Sequence, residues 1–211
     1  MNSSNEIVIR VARQADVARI AELYRAYMRR GFLIECAPWL IKDFHGAMID
    51  RKDIICLVAE NSRGQVEGFI TAAEDGRRFH KSFMASRAPI LAWKLLPVVL
   101  KAAFWKKLMR VLRPSAKEEA RDYNLPRAEW LNLTVEAKYQ GTGVSEMLFR
   151  SMVEEFRHRA SDGFHFIVSA DNLRSLGFCQ KMGCVVVGEI VSEGVPFKLL
   201  AYNMRPNTIC G

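Results

Sequence analysis

The residues best suited to chemistry gather where a strand gives way to a helix. Glu129–Val135 (EWLNLTV) reads as a strand, Tyr139–Ser145 (YQGTGVS) carries two glycines, and a helical pattern runs from about Gly143 to Arg159. A glycine-bearing turn that opens a helix presents several backbone N–H groups in one direction. The helix start adds the positive end of its dipole. Such a turn suits an anion, and a pyrophosphate above all. Gly143 lacks a Cβ, which lets backbone and phosphate approach closely. A lone Gly-x-Gly is equally what an ordinary tight strand–helix turn looks like.

Cysteine and histidine offer less. Of the five cysteines (Cys36, Cys56, Cys179, Cys184 and Cys210), only Cys179 and Cys184 are close, and no C-x-x-C occurs. The four histidines, His45, His80, His158 and His165, are scattered without H-E-x-x-H or other paired spacing. No metal site is expected from such spacing.

The elements that position the turn follow from periodicity. Glu6–Ala12 is β-branched and reads as a strand. Asp16 stands as N-cap to a helix whose apolar face is Val17, Ile20, Ala21, Leu23, Tyr24 and Tyr27. A second helix is expected over about Pro38–Asp50. Ile54–Glu60 and Val66–Ala73 form a hairpin about residues 61–64. Beyond the glycine turn, Met147, Leu148, Met152, Val153 and Phe156 supply a helix's apolar side. Phe164–Ser169 is a strand, and Asn172–Met182 a short helix ended by Gly183. Cys184–Ile190 and Phe197–Met204 close the chain as a hairpin about Glu193-Gly194. The predicted order is β-α-α-β-β, an insertion, then β-α-β-α-β-β.

Composition bounds the class. The chain has 211 residues, half of them hydrophobic and 26% charged, a globular balance with core enough to dispense with disulfides. One domain over 1–211 is expected. No 18-residue apolar run and no secretory leader are visible, so the expected compartment is the cytoplasm. The net charge of +8 is concentrated. From Gly76 to Lys117 there are eleven Lys or Arg and no Asp or Glu, while the remainder holds twenty basic against twenty-three acidic residues. Such a segment favours phosphate-bearing ligands, an anionic membrane surface or nucleic acid, or simply keeps a helix pair solvated.

Three ordered motifs carry a resemblance. Gln140-Gly141-Thr142-Gly143-Val144-Ser145 is similar to the Gln/Arg-x-x-Gly-x-Gly/Ala loop of the GCN5-related N-acetyltransferases (GNAT), with Ser145 departing at the last position. Asn172, Ser175, Phe178, Cys179, Gly183 and Cys184 follow that family's Asn-x-x-Ser/Ala-x-x-Phe/Leu-Tyr-x-x-x-Gly-Phe run. Ile9-Arg10-x-Ala12 with Asp16 resembles its first strand and helix start. The resemblance spans nearly the whole chain except about 77–126.

It implies an α+β GNAT fold: a central, mostly antiparallel sheet splayed between its fourth and fifth strands, with a helical insertion between the third and fourth. It also implies acetyl-CoA as co-substrate and no metal. The diphosphate would lie on the amides of residues 140 to 145, and the pantetheine against the backbone from Leu133 to Val135. Asn172 would contact the pantetheine arm, cap its own helix, or both, with Phe178 lining the same site. Glu129, eleven residues before Gln140, stands where the histone-acetylating branch has its general base; a surface carboxylate at the strand edge is the alternative. Cys179 stands where the family often has a tyrosine acid. Its thiol could protonate a leaving thiolate, or it could be a small core residue, as Cys184 is expected to be. Water or another tyrosine such as Tyr202 would then supply the proton, or no acid would serve at all.

The implied activity is direct acetyl transfer to a primary amine of a small molecule, with an inactive coenzyme-A-binding regulator as rival. For the insertion, Ala88–Leu112 reads as a basic, apolar helix that Pro97 should kink or split, and Ser115–Asp122 as a short helix. It could be a lid or homodimer interface, a membrane-surface helix over about 84–113, or a site for a lipid- or nucleotide-linked amino sugar. Nucleic acid is not expected, for want of a recognisable module.

Overall fold

The computed structural model describes residues 6–28, 34, 38–99, 123, 125–192 and 195–204, with side chains left out for 91–99. Cys36, Cys210, the hairpin turn at Glu193-Gly194 and the insertion from residue 100 to 122 lie outside the described residues. The chain divides into two compact units, one of residues 1–76 with 128–161, the other of 77–127 with 162–211.

The first unit holds β1 (Ile7–Val11), α1 (Val17–Tyr27), α2 (Leu40–Ile49), β2 (Ile54–Asn61), β3 (Val66–Ala73), β4 (Ala128–Val135) and α4 (Val144–His158). Its strands lie in the order β1-β2-β3-β4, each antiparallel to its neighbour. Strands β2 and β3 are buried almost throughout, which explains their continuous apolar runs: helices cover both faces. On one face the His45 ring of α2 meets Tyr24 of α1 and Phe69 of β3, with centroids 5.0 and 5.5 Å apart. On the other, Trp130 of β4 sets its ring edge-on to Phe149 of α4 at 5.4 Å. Burying a side chain such as Phe149, 1% exposed, contributes about 2–3 kcal/mol.

The register of β3 on β4 contains a bulge. Thr71 faces Asn132 but Ala72 faces Trp130, so Leu131 is an extra residue. The bulge reverses strand alternation. Glu129, opposite Ala73, therefore shares the α1/α2 face with Asn132 and Thr134, while Trp130 points to α4.

The second unit holds most of α3 (Gly76–Val99), β5 (Gly163–Ser169), α5 (Leu173–Lys181), β6 (Val185–Ser192) and β7 (Val195–Asn203). Its strands lie in the order β5-β7-β6, antiparallel throughout. Gly183, at φ +87°, ends α5 in the left-handed conformation that glycine adopts without cost. Helix α3 begins at Gly76, well before the expected Ala88, and runs through Pro89 and Pro97 to Val99. Pro97 does not split it; each proline forfeits one backbone bond, and helical backbone continues on both sides. Phe79 and Phe83 bury one stripe of α3, with ring centroids 6.2 Å apart, whereas Arg77, Arg78 and Lys81 are exposed. Among the described residues no helix is long and apolar enough to cross a membrane.

Asp16 does stand at the N-cap position of α1, but its side chain does not cap that helix. Its carboxylate accepts from Arg10 Nη1 at 2.7 Å, Arg10 Nη2 at 3.1 Å and the Arg13 amide at 2.7 Å. Burial alone would raise its pKa; the Arg10 and Arg13 hydrogen bonds prevail and hold it below the usual carboxylate value.

Candidate acyl-donor site

The glycine turn after β4 is built as the sequence implied, strand to helix. A single 3-10 turn, Ala137–Tyr139, leads into it. Gly141 and Gly143 sit at φ +82° and +93°. A Cβ at either would meet nothing within 4 Å, so the backbone conformation rather than crowding requires glycine there.

Most hydrogen-bonding groups before the turn are engaged. Gln140 N donates to Ala137 O at 3.1 Å and Thr142 N to Tyr139 O at 3.3 Å. The Gln140 side chain donates to Val135 O at 3.1 Å, and the Thr142 hydroxyl to Tyr139 O at 2.7 Å. By contrast, the amides of Gly141, Gly143, Val144 and Ser145 find no acceptor among the described residues, and neither does the Ser145 hydroxyl. Four N–H donors and the positive end of a 15-residue helix thus converge on one stretch of six residues. That arrangement can hold a phosphate or diphosphate.

Behind the turn, β4 supplies backbone. Leu131, Asn132 and Leu133 are half-buried, flanked by buried residues at both ends of the strand. The bulge at Leu131 lies two residues beyond Glu129, toward the end of the strand remote from the turn. From Glu129 to Val135 the strand rises about 20 Å, a span suited to an extended chain carrying a reactive group away from its phosphates. Glu129 is 6% exposed, and a Cβ on Gly76 would collide with its carboxylate, so the glycine opening α3 makes room for the acid.

In the second unit, Asn172 caps α5. Its Oδ1 accepts from Ser175 N at 3.1 Å, while its Nδ2 has no partner among the described residues. Phe178 is half-buried on the same helix. Cys179 is 1% exposed, and Cys184 N donates to its carbonyl at 2.9 Å. The two thiols share a hydrogen bond, which together with burial raises the Cys184 pKa far above its ordinary value. Tyr202 stacks on Phe164 at 5.2 Å.

Sequence reasoning missed a latch under the turn. Glu136, the residue after β4, accepts from Tyr27 Oη at 2.6 Å and from Arg19 Nη2 at 2.6 Å, both on α1. Tyr27 Oη in turn accepts from Ala137 N at 2.8 Å. The Tyr27 hydrogen bond, then that from Arg19, outweigh burial and lower the Glu136 pKa. Beside them Lys138 Nζ reaches the buried Glu67 carboxylate at 2.8 Å, and Asn61 Nδ2 the same oxygen at 2.7 Å. A cavity of about 540 Å³ opens next to this cluster, between Asp16, Arg19, Gln65, Glu67 and Lys138. All four of its charged side chains are engaged in ion pairs.

Residues 102–184 match the model of the Acetyltransferase (GNAT) family. No curated protein sequence matches the chain. Its fold is that of solved acetyltransferases at low identity. An acetyltransferase of the GNAT family from Streptococcus pneumoniae is 15% identical, with a TM-score of 0.57 over 94% of this chain and 100% of that one. Arabidopsis thaliana NAA60 in complex with acetyl-CoA is 16% identical, with a TM-score of 0.60 over 94% and 99%. The PaiA N-acetyltransferase of Thermoplasma acidophilum in complex with coenzyme A is 15% identical, with a TM-score of 0.60 over 94% and 99%.

Proposed function

We propose that this chain, a GNAT N-acetyltransferase by family match and by its α+β fold, moves an acetyl group from acetyl-CoA directly to the primary amine of a small molecule. The observation that carries the reading is the set of four amides at Gly141, Gly143, Val144 and Ser145, at the start of α4, that find no acceptor among the described residues. That two of the solved relatives hold acetyl-CoA or coenzyme A supports it.

In this reading the diphosphate of coenzyme A sits on those amides, with the Gln140 and Thr142 side chains bracing the turn. The pantetheine runs beside Leu133–Val135; the family resemblance assigns Asn172 Nδ2 and Phe178 to the same ligand, Asn172 Oδ1 keeping its cap. An alkylammonium must lose a proton before it can attack, and Glu129 receives it. The neutral nitrogen attacks the thioester carbon, the C–S bond breaks, and the coenzyme leaves as thiolate. Burial of Cys179 against Cys184 favours a packing role, so the second proton, shed by the nitrogen as the amide forms, reaches the thiolate through water or Tyr202. Acceptor-dependent thiol release from acetyl-CoA, measured across a panel of amines, tests the reading. Cofactor binding with no release for any amine would leave a coenzyme-A-binding regulator instead.

A second reading concerns where the enzyme works. Arg77, Arg78 and Lys81 are exposed on α3, as are Met84 and Ile90, a mixture suited to the surface of an anionic membrane. A lipid-linked acceptor would be reached there. Sedimentation with phosphatidylserine vesicles, lost on replacing the three cations by glutamate, tests this; equal partitioning of the two proteins rejects it.

A further inference from the structure

We propose that Tyr27 and Arg19 are positioning residues for the acyl donor: through Glu136 and the Ala137 amide they fix the segment that aims the four free amides of the turn. The inference rests on the donor-site reading given above.

The argument is one of accounting for donors and acceptors. A turn with two residues at positive φ is not held by regular secondary structure, so its direction depends on what pins its ends. The helix end is pinned by α4, where Met147 N donates to Gly143 O at 3.0 Å. The strand end leaves β4 at Val135, and Glu136 N still donates to Glu67 O of β3 at 2.7 Å. Beyond that point, among the described residues, the sheet holds the turn only through side chains, Lys138 Nζ on Glu67 of β3 and Gln140 Nε2 on Val135 O of β4. The next constraints come from α1. Tyr27 Oη sits between the Glu136 carboxylate and the Ala137 N–H, donating to the first and accepting from the second. Arg19 takes the other carboxylate oxygen, and its Nε donates to Val66 O of β3 at 3.1 Å. One guanidinium thereby ties the segment to the sheet while one phenol ties it to the end of a helix. Both anchors lie more than a hundred residues earlier in the chain, and neither reaches the amides that would touch a phosphate.

This latch differs from ordinary surface pairing. Tyr27 uses its single hydroxyl both ways, and Glu136 receives hydrogen bonds on both oxygens. A phenylalanine at 27 would remove two bonds and leave the Ala137 amide only a 3.2 Å contact with Glu136 Oε1. The 3-10 turn of residues 137–139 would then be tied to α1 only through Arg19 and Glu136, beside the Lys138 and Gln140 ties to the sheet, and the aim of the amides at 141 to 145 would loosen. Loss of aim falls on diphosphate binding more heavily than on the chemical step, which takes place along β4.

The test uses the full chain and coenzyme A itself. Wild-type protein, Tyr27→Phe, Arg19→Gln and Glu136→Gln are titrated by calorimetry, well below each melting temperature. The expected result is about tenfold weaker binding for Tyr27→Phe and Arg19→Gln, with KM for acetyl-CoA rising in step and kcat changing far less. The double variant Tyr27→Phe/Glu136→Gln should bind no worse than Tyr27→Phe alone, since both changes open the same latch. Lower melting temperatures with an unchanged affinity for coenzyme A would overturn the proposal and leave the cluster merely structural. If Tyr27→Phe does not fold, Arg19→Gln decides by the same readings. No heat with wild-type protein would instead overturn the donor site, a separable result.

Discussion

Glu129 and Asn132 stand on the same face of the sheet although three positions separate them, because Leu131 is bulged out of the β3–β4 ladder. Without the bulge, alternation would turn Glu129 toward α4 and away from Asn132. Glu129→Gln should lower kcat by about a hundredfold, a typical share for a general base. Gly76→Ala, whose Cβ intrudes on the same carboxylate, should also lower kcat while leaving affinity for coenzyme A intact. Glu129 is not the base if its glutamine variant keeps the wild-type turnover.

Gly143→Ala places a Cβ in open space but at φ +93°. The cost is conformational, about 1–2 kcal/mol, and the turn should rotate to relieve it. Weaker binding of coenzyme A, measured by calorimetry, should exceed any loss of secondary structure seen by circular dichroism.

Asn172 offers two atoms with separate uses, and one substitution parts them. Asn172→Asp keeps the oxygen that caps α5 and loses the Nδ2 donor; Asn172→Ala loses both. The aspartate variant should melt near the wild-type temperature yet show a raised KM for acetyl-CoA, while the alanine variant should also lose about 1 kcal/mol of stability. Equal KM for aspartate and wild type would leave Asn172 a cap and nothing more.

His45 is wholly buried among Tyr24, Phe44 and Phe69, with neither ring nitrogen bonded within the described residues. Burial pushes its pKa down from 6.5 to about 4. The unfolded chain therefore takes up a proton that the folded chain refuses. Stability is full above pH 6.5, falls as pH drops toward about 4, and levels off below, a loss of about 3 kcal/mol. His45→Phe should flatten urea-denaturation stability across that window; the same slope in the variant would place its origin elsewhere. Asp16 and Glu136, whose pKa values are lowered, lose their contributions only below the ordinary carboxylate range.

The glycine turn was legible because what shapes its backbone is local: a β-rich run, two glycines that tolerate positive φ, and an apolar period of 3.6. The hairpins were legible for the same reason, with ends shifted by a residue or two. What stayed hidden depends on partners far away in sequence. The bulge at Leu131 exists only relative to β3. The latch joins residues 19 and 27 to residue 136, and no spacing rule connects them. Asp16 looked like a cap because caps have a sequence pattern, whereas its use by Arg10 and Arg13 requires the chain to bend back. The true start of α3 was masked by charge, since a run of cations says nothing about where its helix begins.

The inserted segment enters the second unit through the buried Phe79 and Phe83 and leaves it with Tyr123 seated against Gly188 and Pro126 O bonded to the His165 ring at 2.8 Å. Both gateposts are thus fixed by the scaffold itself. These posts are held by contacts made outside residues 100–122, so their placement does not depend on what that stretch contains.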